Sequence, residues 1–131
     1  MKFMRSVVVF SALALVCGAA AAQVKLAYVG EISGQLAVSG GNFRDGIILA
    51  VEEVNARGGM LKQKLELTLY DTQTNPGVAR AQMQKAIDGE PYTIFGPVLS
   101  GNVKVTLEIV KQAAVPQFIG EIGRASCRER V

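Results

Sequence analysis

Histidine and tryptophan are absent from the sequence, and cysteine occurs twice, at Cys17 and Cys127, one towards each end. Without histidine, the usual triads of nucleophilic catalysis cannot be assembled from these residues, nor can the soft-metal sites that need several His and Cys ligands. Ser100 lacks a Gly-x-Ser-x-Gly elbow, no Gly-x-Gly-x-x-Gly opens a helix, and no phosphate-loop lysine follows a Gly-rich turn. An enzymatic centre, a cofactor and a metal site are therefore not expected, and the scattered Asp and Glu read as solvated helix faces. An excess of one charge is also missing from the middle of the chain. The formal net charge of +3 is carried wholly by Lys2, Arg5, Arg124, Arg128 and Arg130 against Glu121 and Glu129, so residues 23–120 are formally neutral. The basic balance thus gives no reason to expect a nucleic-acid or membrane partner.

Both ends differ in character from what lies between them. A basic start (Lys2, Arg5), an apolar run from Ser6 to Val16 and the alanines at 19–22 are the three parts of a secretory signal. The run is too short for a bilayer-spanning helix, which needs about 20 apolar residues. Residues 1–22 are expected to be a signal peptide cleaved after Ala22, leaving Gln23 first and placing the protein in the periplasm. Cys17 raises the alternative of a lipid anchor, against which stands the bulky Val16 before it. At the other end, Ile122 to Val131 has neither helical nor strand periodicity. It resembles, codon for codon, the translation of a common sequencing adapter, so residues 121–131 are expected to be a non-native tail. With both ends set aside, residues 23–120 contain no thiol, and packing alone must hold the fold.

Within residues 23–120 the patterns alternate. Val24 to Gly30 is nearly continuously apolar, as in a strand covered on both faces. Loop chemistry follows at Ile32-Ser33-Gly34 and Ser39-Gly40-Gly41. Phe43, Ile47, Ala50, Val51 and Val54 then form a helical stripe that Gly58-Gly59 ends. Leu65, Leu67 and Leu69 alternate with polar residues, which predicts a wetter strand at the sheet edge. Asn75-Pro76 can cap and open a second helix, with Ala79, Met83, Ala86 and Ile87 on its apolar face. Thr93-Ile94-Phe95 reads as another central strand. Ser100 can cap a third helix with Val103, Leu107, Val110 and Ala114 on one face, Pro116 stops it, and Gln117 begins a fourth strand. This order predicts an α/β fold with a doubly wound parallel sheet. A ligand crevice would lie beyond the carboxyl ends of the strands, lined by residues 31–34, 71–74 and 97–102.

The chemistry there is that of a binding turn. Gly96 to Asn102 runs from a central strand into a helix, whose free amides favour an anion. Ser100, with the amides of Gly101 and Asn102, could hold a carboxylate; Ser100 could equally be a plain helix cap. Ser33 and Gly34 could meet a ligand or simply turn the chain. Asp71 could receive an ammonium or make an Asx turn.

Taken together, Ile32-Ser33-Gly34, Gly40, Arg44 to Val54 with Asn55-Ala56-Arg57-Gly58-Gly59, Leu67 to Asp71, Pro76 and Gly96 to Ser100 resemble the periplasmic leucine, isoleucine and valine-binding proteins. The similarity runs in register through essentially all of 24–120. It implies the first of two α/β lobes joined by a hinge, which close on a small solute and deliver it to the permease subunits of an ATP-driven importer. Residues 23–120 would be that N-terminal lobe, truncated, of a protein expected to be monomeric when complete. The resemblance places Ser100 where the family binds the α-carboxylate of its amino acid. Ser39 falls where the best-known members carry an aromatic residue against the ligand side chain, which makes it a further candidate contact and puts leucine specificity in doubt. Thr74 and Leu99 stand in place of a disulfide pair. In the family, the acid that binds the ammonium lies in the second lobe.

The primary expectation is thus an exported binding protein for an amino acid or a related small carboxylate or amide. A sensory receptor ectodomain with the same lobe is the alternative, distinguishable by a spanning helix beyond the second lobe. A regulator of the same fold would lack a signal, and an exported enzyme would need catalytic residues from elsewhere. Fold alone does not separate these.

Overall fold

The computed structural model describes residues 23–120, so the signal-like segment 1–22 and the adapter-like segment 121–131 lie outside the described residues. Seven elements follow in chain order: β1 Val24–Gly30, α1 Ala37–Ala56, β2 Leu65–Asp71, α2 Pro76–Asp88, β3 Thr93–Phe95, α3 Ser100–Ala113 and β4 Gln117–Phe118. All strand pairings are parallel and the spatial order is β2-β1-β3-β4. The half-wet β2 is at the edge, as its alternation predicted, while Leu26 to Gly30 of β1 are buried.

The pleat of β1 divides the packing between the two faces. Ala27 and Val29 join Ile94 of β3, Met83 and Ala86 of α2 and Val110 of α3 in one buried cluster. Tyr28, one residue out of phase, turns the other way, and its ring meets Phe43 of α1 with centroids 6.1 Å apart. Helices α2 and α3 therefore cover one face and α1 the other, the doubly wound arrangement.

Local chemistry sets the boundaries. Asn75 Oδ1 accepts from the amides of Gly77 at 2.8 Å and Val78 at 3.2 Å, and Pro76 opens α2. At the end of α1, Gly58 and Gly59 both take positive φ, and the Gly59 amide returns to the Val54 carbonyl. The side chain of Asn55 then exchanges two hydrogen bonds with the backbone of Leu65, so the end of the helix sets where β2 begins.

Three expectations are corrected. Helix α1 starts at Ala37, and the Ser39-Gly40-Gly41 stretch read as loop is helical. Gly40 is there for close approach: a Cβ on it would run into the backbone carbonyl of Glu31, and its own carbonyl accepts from Tyr28 Oη at 2.8 Å. Ala50, placed on the apolar stripe, is exposed. The most buried residues of α3 are Asn102, Thr106 and Val110; of the predicted stripe Val110 is buried, Val103 and Leu107 are half-buried, and Ala114 is exposed in a left-handed conformation. Hydrogen bonding allows Thr106 to be buried, because its hydroxyl donates to the Asn102 carbonyl at 2.9 Å and is silenced inside the fold.

Candidate functional site

Because the strands are parallel, their carboxyl ends share one edge, and the register sets Gly30 beside Asp71 and Tyr28 beside Phe95. The chain leaves β1 to one side for β2 and crosses to the other side for β3, so the strand order reverses at β1. In open α/β sheets ligand crevices form at such a point, which here is where residues 31–36 and 96–102 meet.

The deepest group in this region is Glu31, which is completely buried. Its carboxylate accepts from Val98 N at 3.0 Å, Leu99 N at 3.4 Å and Asn102 Nδ2 at 2.7 Å. Asn102, also completely buried, reaches Thr72 Oγ1 at 3.3 Å through the same nitrogen, while its Oδ1 has no partner among the described residues. One polar node thus ties the loop after β1, the loop after β2 and the first turn of α3. A buried carboxylate meeting only donors is the arrangement that keeps desolvation tolerable.

Asp71 forms a second clasp at the rim. Its carboxylate accepts from Ile32 N and Ser33 N, both at 3.1 Å, from Ser33 Oγ at 2.6 Å and from Gln73 N at 2.8 Å. Partial burial opposes ionisation, but the Ser33 hydroxyl and the amides of Gln73, Ser33 and Ile32 outweigh it and hold the carboxyl below its ordinary range. The Gln73 contact is the Asx turn foreseen for this position; the other three reach across to the β1 loop. Thr74 Oγ1 continues the clasp by donating to Ser33 O at 3.0 Å and accepting from Leu36 N at 3.3 Å. Hydrogen bonds therefore join the loop after β2 to the loop after β1. Tyr28, beneath this edge, has its phenol pushed up to about 12, first by burial and then by the negative charge of Glu31.

The candidate residues separate into distinct roles. Ser100 is the first residue of α3, half-buried, and the cap position belongs to Leu99, which makes no side-chain cap. A plain cap is thus not what Ser100 does. Its hydroxyl and amide, and the amide of the exposed Gly101, have no partner among the described residues. Asn102 is different: its side chain is sealed in the Glu31 node, and its amide donates to Leu99 O at 2.9 Å. Ser33 is exposed but committed to Asp71, and Ser39 lies exposed on the first turn of α1. Glu31 and Thr72 are the functional candidates that sequence reasoning did not single out. A glutamate directly after an apolar strand was the available signal, and its meaning depends on Asn102, 71 residues away.

Likenesses to known proteins bear on this geometry. Residues 23–127 match the family model described as "Periplasmic binding protein". The chain is 32% identical over 117 residues to the Leu/Ile/Val-binding protein homolog 7 of Brucella suis, covering 87% of this chain and 29% of that protein. It is 33% identical over 98 residues to the Leu/Ile/Val-binding protein of Escherichia coli K12, covering 74% and 26%. Among solved structures, a leucine binding protein from Thermotoga maritima superposes with a TM-score of 0.67 at 28% identity, covering 73% of this chain and 27% of that one. The branched-chain amino acid transporter substrate binding protein of Streptococcus pneumoniae, in complex with isoleucine, shares the fold with a TM-score of 0.74 at 24% identity, covering 82% and 32%. The chain spans less than a third of the length of these relatives, and its sheet corresponds to part of their type I fold. The relatives are named as binding proteins and not as enzymes. Because the family model matches most of this chain, the chain belongs to the periplasmic binding protein family.

Proposed function

We propose that this chain is part of the exported substrate-binding component of an ATP-driven importer, and that it binds an amino acid or a related small carboxylate or amide. The observation that carries the reading is the start of α3, where the hydroxyl of Ser100 and the amides of Ser100 and Gly101 are unclaimed among the described residues. They stand at the point where the strand order reverses, with the amides of a helix start favouring a partly or fully negative oxygen. The names of the sequence relatives support an amino acid as the solute. A second lobe would supply the opposing wall and a group for the ammonium, and permease subunits would receive the loaded protein.

Export to the periplasm with cleavage after Ala22 belongs to the same proposal, and so does a foreign origin for residues 121–131. Intact-mass analysis of a periplasmic extract is expected to find Gln23, or its cyclised form, at the amino terminus. Sequencing the locus across Glu121 is expected to reveal a different continuation and the reading frame of a second lobe. The full-length protein from that locus, screened by thermal shift and calorimetry against amino acids and amides, tests the function. Failure of every one of them to bind rejects it.

A further inference from the structure

Two carboxylates stand at the carboxyl edge of the sheet with no cation paired to either among the described residues. Glu31 is one, receiving only neutral donors. Asp71 is the other, held by amides and the Ser33 hydroxyl. Arg44 is the cation that shares their neighbourhood around Tyr28, and it is already paired with Asp45 at 2.7 Å. Among the described residues neither carboxylate is therefore neutralised by an ion pair, while Lys104, one turn along α3 from Ser100, lies exposed.

At the binding turn itself the balance is sharper. The start of a helix carries roughly half a positive charge, whereas Glu31 brings a full negative one and has taken the Val98 and Leu99 amides. The groups left over, Ser100 N, Ser100 Oγ and Gly101 N, are neutral donors. The Leu99 amide is 3.4 Å from Glu31 Oε1, and the next amide along the chain is that of Ser100. Burial leaves the intervening charge weakly screened. An oxygen of a zwitterion or an amide can accept from these donors, because the solute as a whole brings no net charge to the edge. A solute with net negative charge meets Glu31 and Asp71 without compensation.

We infer that Glu31 is a specificity-determining residue that makes this site prefer solutes of zero net charge, neutral amino acids and amides, over acidic amino acids and dicarboxylates. This rests on the binding reading above and adds the charge class of the solute. Calorimetry at pH 7 on the full-length protein, with a panel of neutral amino acids, asparagine, glutamine, aspartate, glutamate and succinate, provides the test. The tightest ligand is expected to be net neutral, with the acids weaker by at least about tenfold. In Glu31→Gln that gap should narrow by roughly tenfold, and combining it with Asn102→Asp, which returns the charge to the same node, should restore it. An acidic solute as the tightest ligand overturns the inference even if Glu31→Gln fails to fold. So does an unchanged gap in a folded Glu31→Gln protein. If no member of the panel binds, the binding reading itself falls and takes this inference with it; a preference for acids removes the charge argument alone.

Discussion

The side chains of Glu31 and Asn102, both fully buried, meet at 2.7 Å across 71 residues of sequence. That contact joins the residue after β1 to the start of α3 at the carboxyl edge of the sheet. Glu31 also holds the Val98 and Leu99 amides, so the conformation of the turn that leads into α3 depends on a residue that presents nothing to solvent.

Asn102→Ala should therefore destabilise the protein by about 2 kcal/mol or somewhat more, the range for a hydrogen bond to a charged group whose partner stays buried. Urea unfolding of the full-length protein measures it, and the midpoint should fall while the slope of the transition is unchanged. Thr106→Val removes a neutral bond to the Asn102 carbonyl and should cost less, about 1 kcal/mol. Equal costs for the two would mean that the Glu31 charge adds nothing.

The architecture was legible in the sequence because strands and helices here differ in apolar periodicity. The apolar run of β1, the alternation of β2 and the Asn75-Pro76 start of α2 each rest on neighbours a few residues away. What periodicity could not read were positions set by distant partners. The Gly40-Gly41 pair has the composition of a loop, yet Gly40 lies within a helix because the Glu31 backbone presses against it. Asn102 and Thr106 are polar by composition and buried by hydrogen bonding, so on α3 they share the buried face with Val110 while Val103 and Leu107 stay half-buried. The candidate site shows the same division. Ser100 could be picked out from its place between strand and helix, but that Asn102 braces the turn required Glu31 to be in view.

Asp71 makes the rim sensitive to acid. Its folded value lies below the ordinary carboxylate value of 3.8, so its stabilising contribution is fully present above that value and is lost as the pH falls through the folded one. Asp71→Asn should lower the melting temperature at pH 7 and flatten the decline of stability below about pH 4. Thermal melts of wild type and variant from pH 2.5 to about 7 compare the two profiles. Parallel acid limbs would show that the Ser33 and amide contacts do not favour the ionised form.

Two glycines of α1 predict opposite outcomes for the same substitution. Gly40→Ala should cost well over 1 kcal/mol, because the added methyl meets the Glu31 backbone and not a movable side-chain end. Gly46 lies exposed inside the helix, and a methyl there enters open space. Gly46→Ala should stabilise by about 0.5–1 kcal/mol through lost freedom in the unfolded chain and better helix propensity. Chemical unfolding distinguishes the signs, and stabilisation by Gly40→Ala would show that α1 does not press on the β1 loop.

Ser100→Ala separates a binding role for this residue from a structural one. Ser100 is the first helical residue, the cap position is Leu99, and the hydroxyl makes no hydrogen bond among the described residues, so its removal should leave stability within about 0.5 kcal/mol. Solute affinity should respond differently. A hydrogen bond to a charged oxygen contributes roughly 1.5–3 kcal/mol, which corresponds to about ten- to a hundredfold in the dissociation constant. Some affinity should remain, because the amides of Ser100 and Gly101 survive the change. Ser33→Ala is the contrasting variant: its hydroxyl is spent on Asp71 at 2.6 Å, so it should lower stability more than Ser100→Ala does and affect affinity less. Calorimetry and thermal melts on both variants of the full-length protein give the two-by-two comparison. If Ser100→Ala leaves the dissociation constant unchanged, or lowers stability as much as Ser33→Ala does, the hydroxyl is not a ligand contact and the binding turn is assigned to the wrong residue.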